Sequence, residues 1–217
     1  MVLTAATRLA IPLVGTDAVG QVIVTVTRAD AVLGDALHAD NQTRPYACWR
    51  DTVRGRLVVT TFSDRMAEAV CRGADRVEVL GRTTADEVIG SGSRGRRMTV
   101  EFLAPTHLRT AHRDYLFPAP ERVFANLGER WTAMGWPLLN EINLNRIGGK
   151  PLRYQVGEHP CARGVRQMGW IGAVEYDLTG LGIEQQEAAW ALMRFAEWRG
   201  IGAHTGYGMG VTRIAGG

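Results

Sequence analysis

Between Gly200 and Gly210 the chain reads GIGAHTGYGMG, five glycines and a histidine in eleven residues of a 217-residue sequence. Glycine lets main-chain N–H groups come close to a phosphate, because no side chain keeps the anion at a distance. Gly200, Gly202, Gly206, Gly208 and Gly210, with Thr205 and Tyr207 among them, are therefore candidates for contact with a phosphate-bearing partner. The competing reading is a bent or bulged final strand, in which the same glycines avoid clashes with a neighbouring helix. Two nucleotide-binding devices are excluded. A dinucleotide loop opens a helix inside a strand-helix-strand unit, and a P-loop needs Gly-Lys-Ser/Thr, whereas Gly210 is followed by Val-Thr-Arg-Ile.

Cations are the second candidate chemistry. The chain carries 25 basic against 22 acidic residues, a net charge of +3, and Lys150 is its only lysine. Arginine offers a planar fork suited to phosphate and to stacking on bases, although a lysine-poor composition equally reflects genomic base composition. Clustering says more: Arg94, Arg96 and Arg97 lie together, Arg109, His112 and Arg113 follow, and Arg163 and Arg166 make a further pair. A charge cluster is usually a solvated face, so these favour an anionic partner only modestly. No metal or other cofactor is expected, since there is no His-Glu-x-x-His, no Cys-x-x-Cys and no acidic cluster of the two-metal nuclease kind. Cys48, Cys71 and Cys161 are odd in number and lack metal-ligand spacing, which fits buried thiols in a reducing cytoplasm. The stretch MVLTAATRLAIPLVG lacks an adequate apolar core region, and no segment approaches ~18 uninterrupted apolar residues. The expectation is a soluble, unexported protein with no membrane partner.

These groups must be positioned by alternating strands and helices. RLVVTTF (56–62) reads as a strand, SDRMAEAVCRG (63–73) as a helix with a Ser cap and a Gly stop, and RVEVL (76–80) as the returning strand. After GSGSRGRR (90–97) the same grammar restarts with MTVEFLAPTHLR and then PAPERVFANLGERWTAMG, where Pro118 and Pro120 favour a helix start. WIGAVEYDL alternates as a half-buried strand, IEQQEAAWALMRFAEWRG carries Ala188, Ala191, Leu192 and Phe195 at helical spacing, and GVTRI is the last strand. Two successive β-α-β-β-α-β units fit this order, an α+β fold of tandem ferredoxin-like domains, which also resemble RNA-recognition motifs. Residues 1–92 and 93–217 are the expected domains. GQVIVTVTRAD, near the N-terminus, is ambiguous: its β-branched run favours a strand, whereas the ferredoxin-like order requires a helix there. Topology decides for the helix.

LHADNQTRPYACW, VEFLAPTHLR, LFPAPERVFANLGERW, MGWIGAVEYDL and FAEWRGIGAHTGYGMG together, in this order, resemble the CRISPR-associated repeat-RNA processing endoribonucleases, the sixth Cas family of the repeat-associated mysterious protein superfamily. The glycine-rich ending is common to the superfamily, including members that cut nothing. Family-level weight rests on Leu37-His38 followed by Arg44-Pro45-Tyr46 and on the segment from Phe102 to Arg109. The resemblance implies binding of the repeat in precursor CRISPR RNA and its cleavage without metal, leaving a 5′ hydroxyl and a 2′,3′-cyclic phosphate. Such chemistry needs a base for the 2′ hydroxyl, a cation for the crowded phosphorane and an acid for the leaving 5′ oxygen.

Five histidines are available. His38 lies where the resembling enzymes often carry their catalytic histidine, and Arg44, six residues on, where several carry a cation. The resemblance thus implies His38 as general base and Arg44 as charge stabiliser, with Tyr46 as a positioning group. His204 is the rival, because it sits in the loop along which the RNA backbone is expected to run. It is a candidate acid or second base. His107 reads as structural or RNA-facing, and His112 and His159 read as loop residues without a role. Without an aromatic string of the RNP1 type, RNA recognition falls to arginines, backbone amides and shape, with Arg94, Arg96, Arg97 and the glycine-rich segment as its contacts. The tryptophans read mostly as core. The alternative function is a non-catalytic RNA-binding subunit of a CRISPR effector complex, and other effector subunits are further expected partners.

Overall fold

The computed structural model describes residues 5–39, 45–92, 95–110, 113–161 and 165–215. Its first half runs β1 (Ala5–Pro12), α1 (Ala18–Ala29), α2 (Ala31–Ala39), β2 (Tyr46–Asp51), β3 (Arg56–Thr61), α3 (Asp64–Gly73) and β4 (Glu78–Thr84). The strands pair antiparallel in the order β2-β3-β1-β4. A short helix, α4 (Ala85–Gly90), leads into β5 (Arg97–Thr106), the hairpin β6 (Leu108–Thr110) and β7 (Arg113–Tyr115), then α5 (Pro120–Ala133), β8 (Gly148–Pro160), β9 (Arg166–Asp177), α6 (Ile183–Arg199) and β10 (Thr212–Ile214). The second sheet has the order β10-β5-β9-β8. In both sheets the last strand lies beside the first and the second lies at an edge, so each is ferredoxin-like. The strands of the first sheet fall within residues 5–84 and those of the second within 97–214.

The ambiguous N-terminal segment is helical. Val19, Val22 and Val26 are buried on one face of α1, and Asp17 accepts a hydrogen bond from the Gly20 N–H as its cap. A β-branched residue in a helix costs about 0.5 kcal/mol, whereas burying a valine gains roughly 1.5 kcal/mol or more, so packing overrides propensity. Ser63 caps α3 as expected, by accepting from the Met66 N–H. β4 begins at Glu78 and runs to Thr84, beyond the expected limit at Leu80, because its pairing with β1 continues past a register shift at Arg8/Leu9. MTVEFLAPTHLR is divided: the ladder with β9 slips after Phe102, and β6 and β7 form a separate hairpin.

One apolar cluster fills the second unit and extends to Ala6, Phe62, Ala85 and Val88; another lies within the first, around Leu9, Val22, Tyr46, Leu57 and Met66. α6 is buried along most of its length, its arginines included. Arg194 donates to the carbonyls of Val88, Ser91 and Gly92, which satisfies the C-terminal end of α4 from the opposite unit. Among the described residues no helix is long and apolar enough to cross a membrane.

Two helical glycines should respond oppositely to the same change. A Cβ at Gly73 would lie 1.8 Å from the Thr25 carbonyl oxygen, where α3 packs on α1, whereas a Cβ at Gly128 in α5 meets nothing within 4 Å. Gly73→Ala should destabilise by ~1–3 kcal/mol through overpacking. Gly128→Ala should stabilise by about 0.5–1 kcal/mol through reduced unfolded-state entropy. Urea unfolding of the two variants measures both signs.

Candidate functional site

The glycine-rich segment folds into a closed loop between α6 and β10. The Ile201 N–H donates to the Gly210 carbonyl at the neck (2.9 Å), the Ala203 N–H to the His107 carbonyl (3.0 Å), and the Gly210 N–H to the Pro105 carbonyl (3.1 Å). The Gly202 N–H donates to Asn126 Oδ1 on α5 at 2.9 Å. A Cβ at Gly202 would fall 2.2 Å from the His107 carbonyl oxygen, and one at Gly210 2.0 Å from the Ile201 carbonyl oxygen. Both have positive φ, +87° and +72°, which an L side chain rarely adopts.

This geometry corrects one sequence-based expectation. The N–H groups of Gly200, Gly202, Gly208 and Gly210 all donate within the protein, so they are not available as a phosphate cradle. These glycines allow the loop to lie against β5 and α5. Thr205 is likewise turned inward, accepting from the buried Arg199 guanidinium. The side chains that reach outward, half-exposed, are His204 and Tyr207.

His204 is the sole non-glycine residue at positive φ among the described residues, at +59°. Its ring lies 5.2 Å from that of His107 and 5.7 Å from that of Tyr207. His107 follows the end of β5, is fully enclosed, and has both ring nitrogens without a hydrogen-bond partner. Its Nε2 is 3.7 Å from Asp114 Oδ1 on β7, and Asp114 is itself held by Arg109 (2.8 Å) and Gln167 (3.1 Å). Burial above all lowers the His107 pKa to about 4, with Asp114 opposing the shift and His204 and Arg109 adding to it. The Asp114 carboxyl is held below its ordinary range, chiefly by Arg109.

The loop also touches the first unit. Cys48 Sγ on β2 donates to the Gly206 carbonyl at 2.7 Å, and Gly208 lies against the backbone of Cys48 and Trp49. His159 belongs to β8, which corrects its reading as a roleless loop residue. Its Nε2 is 2.8 Å from the Tyr207 carbonyl and must carry the proton, because a carbonyl only accepts. The Arg199 pKa is lowered to about 9 by its burial, with Arg130 adding to the shift and Tyr46 opposing it.

His38 is exposed in the last turn of α2, and the following segment leads into β2, the strand on which the glycine-rich loop rests. Tyr46 is a core residue with its phenol enclosed near Arg199, so any positioning by it acts through the protein interior. Arg96 and Arg97 are exposed at the entry to β5, Arg97 lying 3.6 Å from Asp177. Arg44, Arg94, His112 and Arg163 lie outside the described residues. Trp131, Trp170 and Trp190 are core, whereas Trp49 and Trp198 flank Arg8 at 5.1 and 4.5 Å. Sequence reasoning missed Asp114 and undervalued His107. The usable signal was a histidine in the apolar-flanked FLAPTHL, followed seven residues on by Asp114. Among the described residues no three His, Cys, Asp or Glu side chains converge as a metal site.

Two ferredoxin-like units, joined at a loop that carries His204 beside the enclosed His107, define a tandem ferredoxin-like protein. The family model for the CRISPR-associated endoribonuclease Cas6 matches residues 100–212, just over half of the chain, and the chain belongs to that family. It is thereby an endoribonuclease that processes CRISPR repeat RNA. Similar solved structures include a Cas6 product complex, with TM-score 0.78 and 21% identity over 97% of this chain and 99% of that one. They also include Thermus thermophilus Cas6, with TM-score 0.73 and 21% identity over 97% of each chain. A Cas6-related protein of Pyrococcus furiosus has TM-score 0.56 and 11% identity over 99% of this chain and 98% of that one. No curated protein matches the sequence.

The enclosed His107 makes stability depend on pH. The unfolded chain takes up this proton near pH 6.5, whereas the folded protein refuses it until about pH 4. The unfolded state therefore binds more protons across that window, and stability falls on acidification through it, by up to about 3 kcal/mol. Urea unfolding at pH 7 and pH 4.5 should show the loss, and His107→Phe should reduce it.

Proposed function

We propose that this endoribonuclease cuts repeat RNA by attack of the 2′ hydroxyl on the adjacent phosphate, leaving 2′,3′-cyclic phosphate and 5′-hydroxyl ends without a metal ion. His38 takes the proton of the attacking hydroxyl, Arg44 balances charge on the phosphorane, and His204 protonates the leaving 5′ oxygen. Proton balance is met, because one proton leaves the 2′ oxygen and one arrives at the 5′ oxygen. The observation that carries this reading is the course of the chain. His38 lies at the end of α2, β2 is the next element in the chain, and β2 holds the loop bearing His204 through Cys48 and Gly206. Bringing both histidines to one phosphate is what a two-proton reaction requires.

Further support comes from relatives. Solved Cas6 structures with this fold include product and substrate-mimic complexes and one carrying a histidine-to-alanine substitution. A partial Cas6-RT-Cas1–Cas2 complex is also similar, at TM-score 0.51, and suggests other CRISPR-associated subunits as partners for this chain. In this reading residues 1–92 supply the base and residues 93–217 the loop. Tyr207, Arg96, Arg97 and Arg94 contact RNA, and the glycines act by placing the loop.

Purified protein should cleave labelled repeat RNA undiminished in excess EDTA, and a 2′-deoxy substitution at the nucleotide before the cut should abolish cleavage while sparing binding. A deoxy substrate cut at normal rate would overturn the mechanism. Binding with no cleavage in EDTA or in added divalent metal would identify a non-catalytic RNA-binding subunit.

His38→Ala should slow single-turnover cleavage by ~10²-fold or more with little change in affinity, as for a lost general base. The same pattern confined to His204→Ala would move the base to the loop.

A further inference from the structure

His107 lies beside His204, yet the proposed chemistry gives it no task. It is completely enclosed, a costly place for an imidazole, and neither nitrogen has a hydrogen-bond partner. A leucine would fill the same space without that penalty, but it offers no flat face. What distinguishes the position is its two neighbours. The His204 ring lies at 5.2 Å, tilted by 41°, and Asp114 Oδ1 is 3.7 Å from Nε2. A closure of less than about 1 Å would turn the second contact into a hydrogen bond. The backbone fixes the same juxtaposition, since the His107 carbonyl accepts from the Ala203 N–H, one residue before His204.

We propose that His107 is a positioning residue for His204: its flat ring, backed by Asp114, forms the platform that fixes the direction in which the His204 imidazole faces the RNA. The inference rests on His204 being the loop's proton-transfer group, as proposed above. The platform must not compete for the proton. Burial keeps His107 neutral at working pH, so the two imidazoles do not repel when His204 is charged. The charged and titratable groups facing the pair come from four elements. Asp114 lies on β7, Arg109 on β6 and Tyr207 on the loop, while His159 on β8 holds the Tyr207 carbonyl.

A ring at position 107 can be separated from mere volume, because phenylalanine and leucine both fill the space but only phenylalanine is flat. In the full chain, His107→Leu should lower the single-turnover rate on repeat RNA by ~10-fold, the scale of a misaligned catalytic group, with the Kd for RNA unchanged within about twofold. His107→Phe should recover most of that rate. The leucine change should add nothing to His204→Ala, since it acts through a ring that is no longer there. An activity-independent readout is the His204 ring resonance in 1H–13C spectra, which should move in His107→Leu and stay near its wild-type position in His107→Phe. Equal rates for the leucine variant and wild type, multiplicative effects of positions 107 and 204, or a His204 resonance indifferent to both substitutions would each overturn the proposal. If wild-type protein fails to cut RNA, the functional reading fails, while the resonance comparison still decides whether His107 orients His204.

Discussion

The space left by a missing Cβ at Gly202 is the constraint from which the site follows. With 2.2 Å between that position and the His107 carbonyl oxygen, any side chain would lift the loop off β5 and break the Ala203–His107 and Gly202–Asn126 hydrogen bonds. Gly210 imposes the same condition at the neck, against Ile201. Once both approaches are allowed, the loop closes on itself and the N–H groups of Gly200, Gly202, Gly208 and Gly210 are satisfied internally. Among the described residues, the one that keeps a side chain in a left-handed conformation is then His204. Holding an L residue there costs on the order of 1 kcal/mol, which a closed and buried loop can enforce and a loose one could not.

The same loop is where the two units meet. β2 is an edge strand of the first sheet, and an uncovered edge invites pairing with another chain. Here the edge is occupied: Cys48 donates to Gly206, and Gly208 packs on the Trp49 backbone. Arg8 strengthens the joint by lying between the rings of Trp49 and Trp198 and donating to the Glu197 carbonyl of α6. A guanidinium taken out of water in this way is costly alone, and burial lowers its pKa. The aromatic faces and the carbonyl offset that cost, and together they join the strand after His38 to the helix before His204.

How much of this was legible in the sequence depended on whether the signal was local. The Ser63 cap of α3, the Gly200 stop of α6 and the strand alternation around Val174 are properties of neighbouring residues, and they translated directly into elements. The strand-like composition of α1 misleads only until the order of elements is considered, because Val22 and Val26 are buried through tertiary packing that composition cannot express. The glycines were legible as necessary but not as to their purpose. Whether a glycine leaves room for a phosphate or for a carbonyl depends on what lies opposite, and His107 is almost a hundred residues away in sequence. Asp114 was invisible for the same reason, since only the hairpin and the slipped β5–β9 ladder bring it beside His107. His38 and Arg44 became candidates through resemblance alone.

Arginine abundance also changes meaning once each side chain has a place. Arg8, Arg194 and Arg199 are internal fasteners, and Arg56, Arg65, Arg82, Arg109 and Arg213 are ion-paired with acids of the same chain. With a net charge of only +3 and so many guanidinium groups committed internally, a long-range basic field is a weak basis for choosing an RNA. Discrimination then has to come from where a few groups are held. A loop whose backbone is closed and whose imidazole is fixed against an enclosed ring provides such placement, and it does so with interactions that salt screens far less than surface charge.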